Sequence, residues 1–509
     1  MSTKFFPIEI PPGVFATATK KMRSSNWAEV NMVRWHEGQL ETVGGQAQYT
    51  YNFASRCKAI HGWYGLDHVY RVAYLCESNL YIDVGGSLTD ITPVGGISPP
   101  TLLTSGGYSD GLYNASTYGT PRATSTINPI DKTPDSFSLD NFGSILYAMT
   151  SPDGRLLQWD PNVGGQAIVT PGAPHGRLFV VTQERFVQIF GMTQDGTADG
   201  GSFRRFGWCD QENPSSWNFS DITSQAGFLD IEPASPIITA IATKSGTLFW
   251  TGTTCYVSQF VGLPYVYNYV ELSKNCTPWS PASKVAATPY TLWFSQQGLF
   301  SFDGTSVLPI PCRVRPWIDD DIDPLTVREQ ACAVHNPNFN EFWWFFPQLG
   351  QPYNTRAAIY NYKEGWWSQA QMARSAGVTG SYTVHSIMAD GQIAFQHEVG
   401  TAYSDAALPF AESFNLNLTS GSRLITIKQM IPDIEGEISN VQYVLFYRNS
   451  RSKGVLEQQT PPISLRSDGY VDFRTTGRDI RLRFQVAGPL VGVITLGQHL
   501  IDGVSRGDR

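Results

Sequence analysis

The densest group of chemically capable side chains is acidic: Asp319, Asp320, Asp321 and Asp323 crowd into one short stretch. Oxygen ligands at that density suit calcium or magnesium, but the glycine and distal glutamate of an EF-hand loop are missing. A solvated loop or a helix start, where carboxylates offset the helix dipole, is the expected role. His36-Glu37 does not continue into an H-E-x-x-H run, and no G-x-S-x-G elbow, P-loop or G-x-G-x-x-G loop occurs. A glycosidase needs only two carboxylates about 5–9.5 Å apart, and the sequence singles out no pair. The Trp343-Trp344 and Trp366-Trp367 pairs suit sugar stacking, but strand neighbours face opposite ways, so one core and one surface residue are expected of each. The seven cysteines, at 57, 76, 209, 255, 276, 312 and 332, show no C-x-x-C spacing. Zinc is therefore not expected, free thiols in a reducing compartment are, and the sequons at Asn218 and Asn275 carry no meaning there. No catalytic residue, metal or cofactor is expected.

The elements that would position any such group are strands. Aromatics make up 13% of the chain and charged residues only 16%, with 47 Gly and 32 Pro, a balance that favours short strands and tight turns over long helices. One pattern recurs through the middle: an alternating strand, a tight turn, a second alternating strand. It runs through Tyr70–Asp83, Ile145–Asp160, Thr247–Phe260 and, most clearly, Thr291–Gly304, followed by the runs at Phe342 and Ala357. Alternation buries one face, and Asp-Gly or Gly-x supplies the positive φ that a hairpin turn demands. Units of about 40–50 residues ending in such hairpins predict an all-β fold built on a β-propeller, the alternative being a pair of β-sandwiches. Ser151-Pro-Asp-Gly-Arg-Leu-Leu-Gln-Trp159 resembles the Asp-box of sialidase propellers, except that Gly154 directly follows Asp153 and Leu157 stands where a Thr is expected. That aspartate stabilises a turn and does no chemistry. Residues 93–136, rich in Gly, Ser, Thr and Pro, read as a long excursion between strands. After about residue 410 the alternating runs at 423–430, 441–447, 470–474 and 480–486 predict a separate antiparallel sheet, with Arg481 and Arg483 on one face and Ile480, Leu482 and Phe484 on the other.

The net charge of −8 is unevenly spread. Residues 1–60 carry 7 Lys/Arg against 4 Asp/Glu, residues 420–509 carry 12 against 9, and the middle carries 17 against 31. An acidic middle does not grip nucleic acid, which needs clustered positive charge. The opening MSTKFFPIEIPPGVF lacks the charged start and apolar run of a signal peptide, and no run of about 18 apolar residues would span a membrane, so a soluble product made in a cytoplasm is expected.

Two stretches are more specific. Near the start stands Asn31-Met-Val-Arg34-Trp35-His-Glu-Gly38-Gln-Leu40-Glu-Thr-Val-Gly44-Gly45. Near the end stand Arg478-Asp-Ile-Arg481-Leu-Arg483-Phe-Gln-Val and Leu496-Gly497-Gln-His-Leu-Ile-Asp502-Gly-Val-Ser-Arg506-Gly507-Asp-Arg509. The first resembles the N-R-W-x-x-G-x-L…G-G entry of tail nozzle and tail hub proteins of short-tailed bacteriophages (podophages), the family that includes packaged-DNA stabilisation proteins. The second is similar to the R-x-R-L-R…L-G-x-x-x-x-D-x-x-x-G-x-R close of the same group, with Val491-Gly-Val where an aromatic often precedes the Leu-Gly.

The resemblance implies a structural virion protein and not an enzyme: a homohexameric tail nozzle below the portal and adaptor (head-to-tail connector). It would be a conduit and closure for packaged DNA, which passes through without specific binding at ejection, and would meet a tail fibre, tailspike or needle. Such a protein sits in the virion tail and is assembled in the host bacterial cytoplasm. The alternative is a carbohydrate-binding or glycan-cleaving phage tail propeller. The implied organisation is a platform from residues 1–55 and 411–509 around a propeller at 56–410, with Arg34, Trp35, Gly38, Gly44, Gly45, Arg481, Arg483, Gly497, Asp502 and Gly507 serving assembly. Gly44 and Gly45 would answer a positive φ or a close backbone approach. Arg481 and Arg483 would face a neighbouring subunit or adaptor.

Overall fold

The computed structural model describes residues 4–17, 25–100, 133–221, 223–232, 235–379, 386–399, 403, 407–416, 418, 423–436, 438–449, 456–490 and 492–506. Alternation and turn chemistry set the local structure. The strands Tyr290–Ser295 and Gly298–Phe302 pair antiparallel from Thr291↔Phe302 to Ser295↔Gly298. At the next turn the Asp303 carboxylate accepts the N–H groups of Thr305 at 2.9 Å and Ser306 at 2.8 Å, while Gly304 takes φ +103°. A Cβ is disfavoured at that φ, so the Asp-Gly pair fixes where the chain reverses.

Seven four-stranded antiparallel sheets of this kind occur among the described residues. Their inner strands are Cys57–Tyr64, Phe137–Phe142, Leu178–Val181, Ile237–Thr243, Lys284–Ala287, Cys332–Asn336 and Ala376–Val378. Each touches the next, and Ala376–Val378 meets Cys57–Tyr64, which closes a seven-bladed β-propeller. Six blades use consecutive strands. The seventh combines Ala376–Val378, Ile387–Asp390 and Ile393–His397 with Gln46–Asn52 as its outer strand. That strand falls inside the 1–55 segment assigned from sequence to the platform; it belongs to the ring, because closure needs a strand from the chain's other end. Beside it Tyr51 donates its hydroxyl to Asp83 at 2.8 Å and Phe53 packs on Tyr74, tying the clasp to the first blade.

Blades stack face to face, which corrects the reading of the tryptophan pairs. Every residue of Glu341–Pro347 is buried. Trp344 stacks on Phe294 of the fifth blade at 4.0 Å, whereas Trp343 lies in the cluster with Met388 of the seventh. Alternation holds, but both directions lead into core. Trp367 is likewise buried and Trp366 half-buried.

The acidic cluster also differs from expectation. Asp319–Asp321 occupy the last turn of the helix Arg315–Asp321 and not its start. Arg315 holds Asp319 at 2.6 Å and Arg356 holds Asp321 at 2.8 Å, so basic side chains rather than the dipole offset them. Asp323 alone caps a turn, accepting the Leu325 N–H at 2.9 Å. Among the described residues no group of three or more His, Cys, Asp or Glu is placed to hold a metal ion. Of the 93–136 excursion, residues 101–132 lie outside the described residues. Its near end is anchored by Asp153, which accepts the Ser98 N–H at 2.9 Å, and by Arg155, which donates to Gly96 O at 2.7 Å.

The two chain ends interleave in three further antiparallel sheets. The first orders Lys4–Ile8, His499–Arg506, Leu424–Ile431 and Val471–Gly477. In the second, Trp27–Asn31, Phe410–Ser413, Asp479–Val486 and Val441–Arg448 lie side by side. The third joins the hairpin Val33–His36/Gln39–Thr42 to Thr495–Leu496 and Ile434–Glu435. Their inward residues, among them Val30, Ile425, Tyr443, Leu482, Phe484 and Ile501, share one core with Phe294 and Trp344 of the propeller. Platform and ring thus bury apolar surface against each other.

Candidate assembly surface

The strand Asp479–Val486 shows how this half folds: Ile480, Leu482 and Phe484 are buried while Arg481, Arg483 and Gln485 are half-buried. Glu412 stands opposite Arg483 on the adjacent strand. Arg483 approaches Glu412 at 3.5 Å, and Arg481 pairs with both Glu412 and Glu457, its Nε 3.0 Å from Glu457. Both guanidinium groups, expected to face a neighbouring subunit or adaptor, are paired with carboxylates within the chain, because the cross-strand register sets Glu412 beside them. Burial raises the Glu412 pKa and the two arginines pull it back.

Arg34 is buried, at 2% exposure, where platform meets propeller. Its Nε donates to Glu341 of the sixth blade at 2.8 Å, and its Nη1 to Glu398 beyond the seventh at 3.1 Å. Asn336 reaches both carboxylates at 3.4 Å and Trp343 Nε1 donates to Glu341 at 2.9 Å. Burial acts to lower the Arg34 pKa, but the two carboxylates outweigh it and hold the guanidinium charged. Burial likewise raises Glu341, which shares its one cation with Glu398. Gly44 closes the cluster: its N–H donates to Glu398 at 3.0 Å, and a Cβ there would stand 3.0 Å from the Glu398 Cα. The expected close approach is what this glycine serves, and its φ is not positive. Gly45 accepts the Val399 N–H at 3.1 Å.

The remaining motif residues converge elsewhere. Leu40 pairs with Leu496 in the third platform sheet, so the two end motifs touch. Around that pair lies a groove of 460 Å³ lined by Trp35, Gly38, Gln39 and Leu40 from one end, Leu496–His499 from the other, and Ile8–Pro11, Trp27 and Asp433. Gly38 takes φ +79° at the tip of its hairpin. A Cβ on Gly497 would fall 2.1 Å from Asp433 Oδ2, so a side chain there displaces that carboxylate. Asp433 organises this wall: its carboxylate accepts the Gln498 N–H at 3.0 Å and its carbonyl the Gly497 N–H at 3.0 Å. Its own N–H donates to His499 Nδ1 at 3.1 Å, which fixes the neutral imidazole with its proton on Nε2. Burial lowers the His499 pKa to about 4. Gln498 Nε2 bridges to Glu9 at 2.9 Å, so the rim is polar and the floor apolar. Asp502 is buried in the first platform sheet opposite Phe5, and its Oδ1 has no hydrogen-bond partner among the described residues. Gly507 lies outside the described residues.

Glu341, Glu398, Asp433 and His499 were not picked out by sequence. A lone acid heading the apolar run Phe342–Phe346 is the one signal that marked Glu341. No helix among the described residues is long and apolar enough to cross a membrane.

No protein-family model and no curated protein matches the chain. Among solved structures it is similar to the Pan2 WD40 domain of Neurospora crassa, at 7% identity and TM-score 0.39 over 72% of this chain and 98% of that one. The Cps50 (Swd1) β-propeller domain of Myceliophteria thermophila aligns at 7% identity and TM-score 0.38, covering 69% and 99%. An exo-β-1,3-galactanase of Phanerochaete chrysosporium aligns at 10% identity and TM-score 0.22, covering 72% and 95%. These values carry no functional argument, and the propeller stands on its own strand pairing.

Proposed function

We propose that this chain is a structural virion protein, the tail nozzle of a short-tailed bacteriophage, assembling through its platform into a hexameric ring below the portal and adaptor. The observation that carries the reading is the meeting of the two end motifs. Trp35, Gly38 and Leu40 share one groove with Leu496 and Gly497, although some 460 residues separate them in sequence. The titratable groups of the groove are already engaged, His499 with the Asp433 N–H, Asp433 with the Gln498 N–H and Glu9 with the Gln498 side chain; an apolar floor under a polar rim is the make-up of a contact surface. The acidic middle segment, 17 Lys/Arg against 31 Asp/Glu, supports a conduit that DNA passes without being held. On this reading a fibre, tailspike or needle docks on the assembled tail. The test uses the exposed rim. Gln39→Arg combined with Gln498→Arg should leave the melting temperature within about 1 °C, since both side chains are exposed. It should also abolish ring formation in negative-stain images. Rings formed as readily as by the unaltered chain would remove the groove from the interface.

A further inference from the structure

The outer hairpin of the fourth blade ends in a group of exposed apolar side chains, and their placement carries an inference independent of the nozzle reading. Its strands, Thr254–Gly262 and Val266–Lys274, pair from Thr254↔Lys274 to Gly262↔Val266. Burial ends at Ser258: Gln259, Phe260 and Val261 are exposed in succession. Beyond them Leu263 and Tyr265 are 73% and 77% exposed. The return strand holds this end still. Tyr267 is buried, with its ring centre 5.4 Å from that of Phe186 and 5.2 Å from that of Trp208 in the third blade. Its hydroxyl shares a 2.9 Å hydrogen bond with the Thr182 hydroxyl, and its N–H donates to Tyr265 O at 2.7 Å. Phe260 rests one side on Phe186 at 5.9 Å. The hairpin is thus seated on the third blade and turns Val261, Leu263 and Tyr265 outward.

No charged residue stands between Lys244 and Glu271. Glu271 and Lys274, at the foot of the hairpin, pair with each other at 3.2 Å, so the hairpin itself aims no net charge outward. A protein contact carries about one hydrogen bond per 100–200 Å² and a polar rim. Between Phe260 and Val266 the Tyr265 hydroxyl is the one side-chain group able to make such a bond. The chain reverses at Gly262, φ +76°, which makes the tip convex, with no groove for a partner chain to fill. A fluid acyl layer needs neither matching shape nor matching hydrogen bonds, and tyrosine suits its boundary, ring in the apolar layer and hydroxyl at the headgroups. We propose that the 260–265 tip is a lipid-inserting anchor, which holds the propeller to a membrane surface by shallow burial of Phe260, Val261, Leu263 and Tyr265. Insertion of this kind reaches about 5–10 Å into the boundary and spans nothing. Four such side chains give one copy an affinity near that of a single acyl anchor, about 10⁴ M⁻¹. Because the tip is already seated, little conformational freedom is lost on insertion.

The test floats the full-length protein through a density gradient with phosphatidylcholine vesicles at about 2 mM lipid, roughly twentyfold above the half-binding concentration that this affinity sets. Most of the chain should rise with the vesicles. It should do so equally at about 1 M salt, where the screening length falls to about 3 Å. Leu263→Asp combined with Tyr265→Ser should leave the melting temperature within about 1 °C and lower the partition coefficient at least about tenfold. Should that pair disturb the fold, Val261→Ser alone carries the same comparison with a smaller loss. Leu308→Asp, at an exposed apolar position on the fifth blade, should float like the unaltered chain. A chain that stays at the bottom beside vesicles, flotation lost in high salt, a double variant that floats undiminished, or an equal loss in Leu308→Asp would each overturn the anchor. So would a fall in solution mass in the double variant, which would mean that second copies cover the tip.

Discussion

Replacing Arg34 by alanine tests whether platform and ring are held as one body by a buried charge cluster. The substitution removes the one guanidinium that Glu341 and Glu398 share and leaves both carboxylates at 2% and 11% exposure. Stranding a buried charge in this way costs about 3–5 kcal/mol, against about 0–1 for an exposed pair. Unfolding entropy is about 2.1 cal/mol/K per residue, so a chain of 509 residues melting as one unit loses about 3–5 °C in Tm. A platform that melts alone, being the smaller unit, shifts further. The cost belongs to the stranded charge and not to the missing bonds. Arg34→Met combined with Glu341→Gln and Glu398→Gln should therefore recover more than half of the loss. Arg466→Ala, which breaks pairs whose members are roughly half exposed, should shift Tm by less than about 1 °C. Scanning calorimetry at low scan rate reads all three. An Arg34→Ala shift no larger than that of Arg466→Ala, or a triple variant worse than the single one, would show that no stranded charge holds platform and ring together.

Other outcomes follow from the same geometry. His499, lowered to about 4 by burial, binds a proton less readily folded than unfolded, so its contribution is intact above pH 6.5 and is lost as pH falls towards 4. The loss is about 3 kcal/mol, and His499→Gln should flatten the urea midpoint against pH over that window. Gly497→Ala pushes a Cβ to 2.1 Å from Asp433 Oδ2 and should cost about 1–3 kcal/mol, whereas Gly350→Ala, at a turn with nothing near the added Cβ but φ +77°, should cost only the backbone strain of about 1 kcal/mol. Tyr51→Phe removes the hydroxyl that bonds Asp83 and Tyr74 across the clasp. It should cost about 1–3 kcal/mol, with hydrogen exchange of strand 46–52 speeding first.

The hairpins of the ring were legible because their evidence is local. Alternation in Thr291–Gly304 and an Asp-Gly turn state the strand, its face and its reversal within a dozen residues. The chain-end platform was legible through charge and motif, and the structure pairs Phe5 with Asp502 and Leu40 with Leu496. What failed was non-local. Gln46–Asn52 carries no mark that its partner is Ile393–His397, so the division at 55/56 split the clasp from its blade. Trp343 was misread because alternation distinguishes two faces of a strand but not whether a second sheet covers each. The pairing of Arg481 and Arg483 with Glu412 was not legible, because Glu412 lies on a strand distant in sequence. Arg34, taken for an assembly residue, is internal for the same reason.

The proposed nozzle stands or falls with closure of copies of this chain into a ring through the platform. The direct measurement is the solution mass of the purified full-length protein, by sedimentation velocity across a concentration series, with images of the same sample. A hexameric nozzle gives a species of six 56.3 kDa chains with an open centre that hydrolyses no polysaccharide. A monomer at every concentration, or a trimer that cleaves glycan, would contradict it.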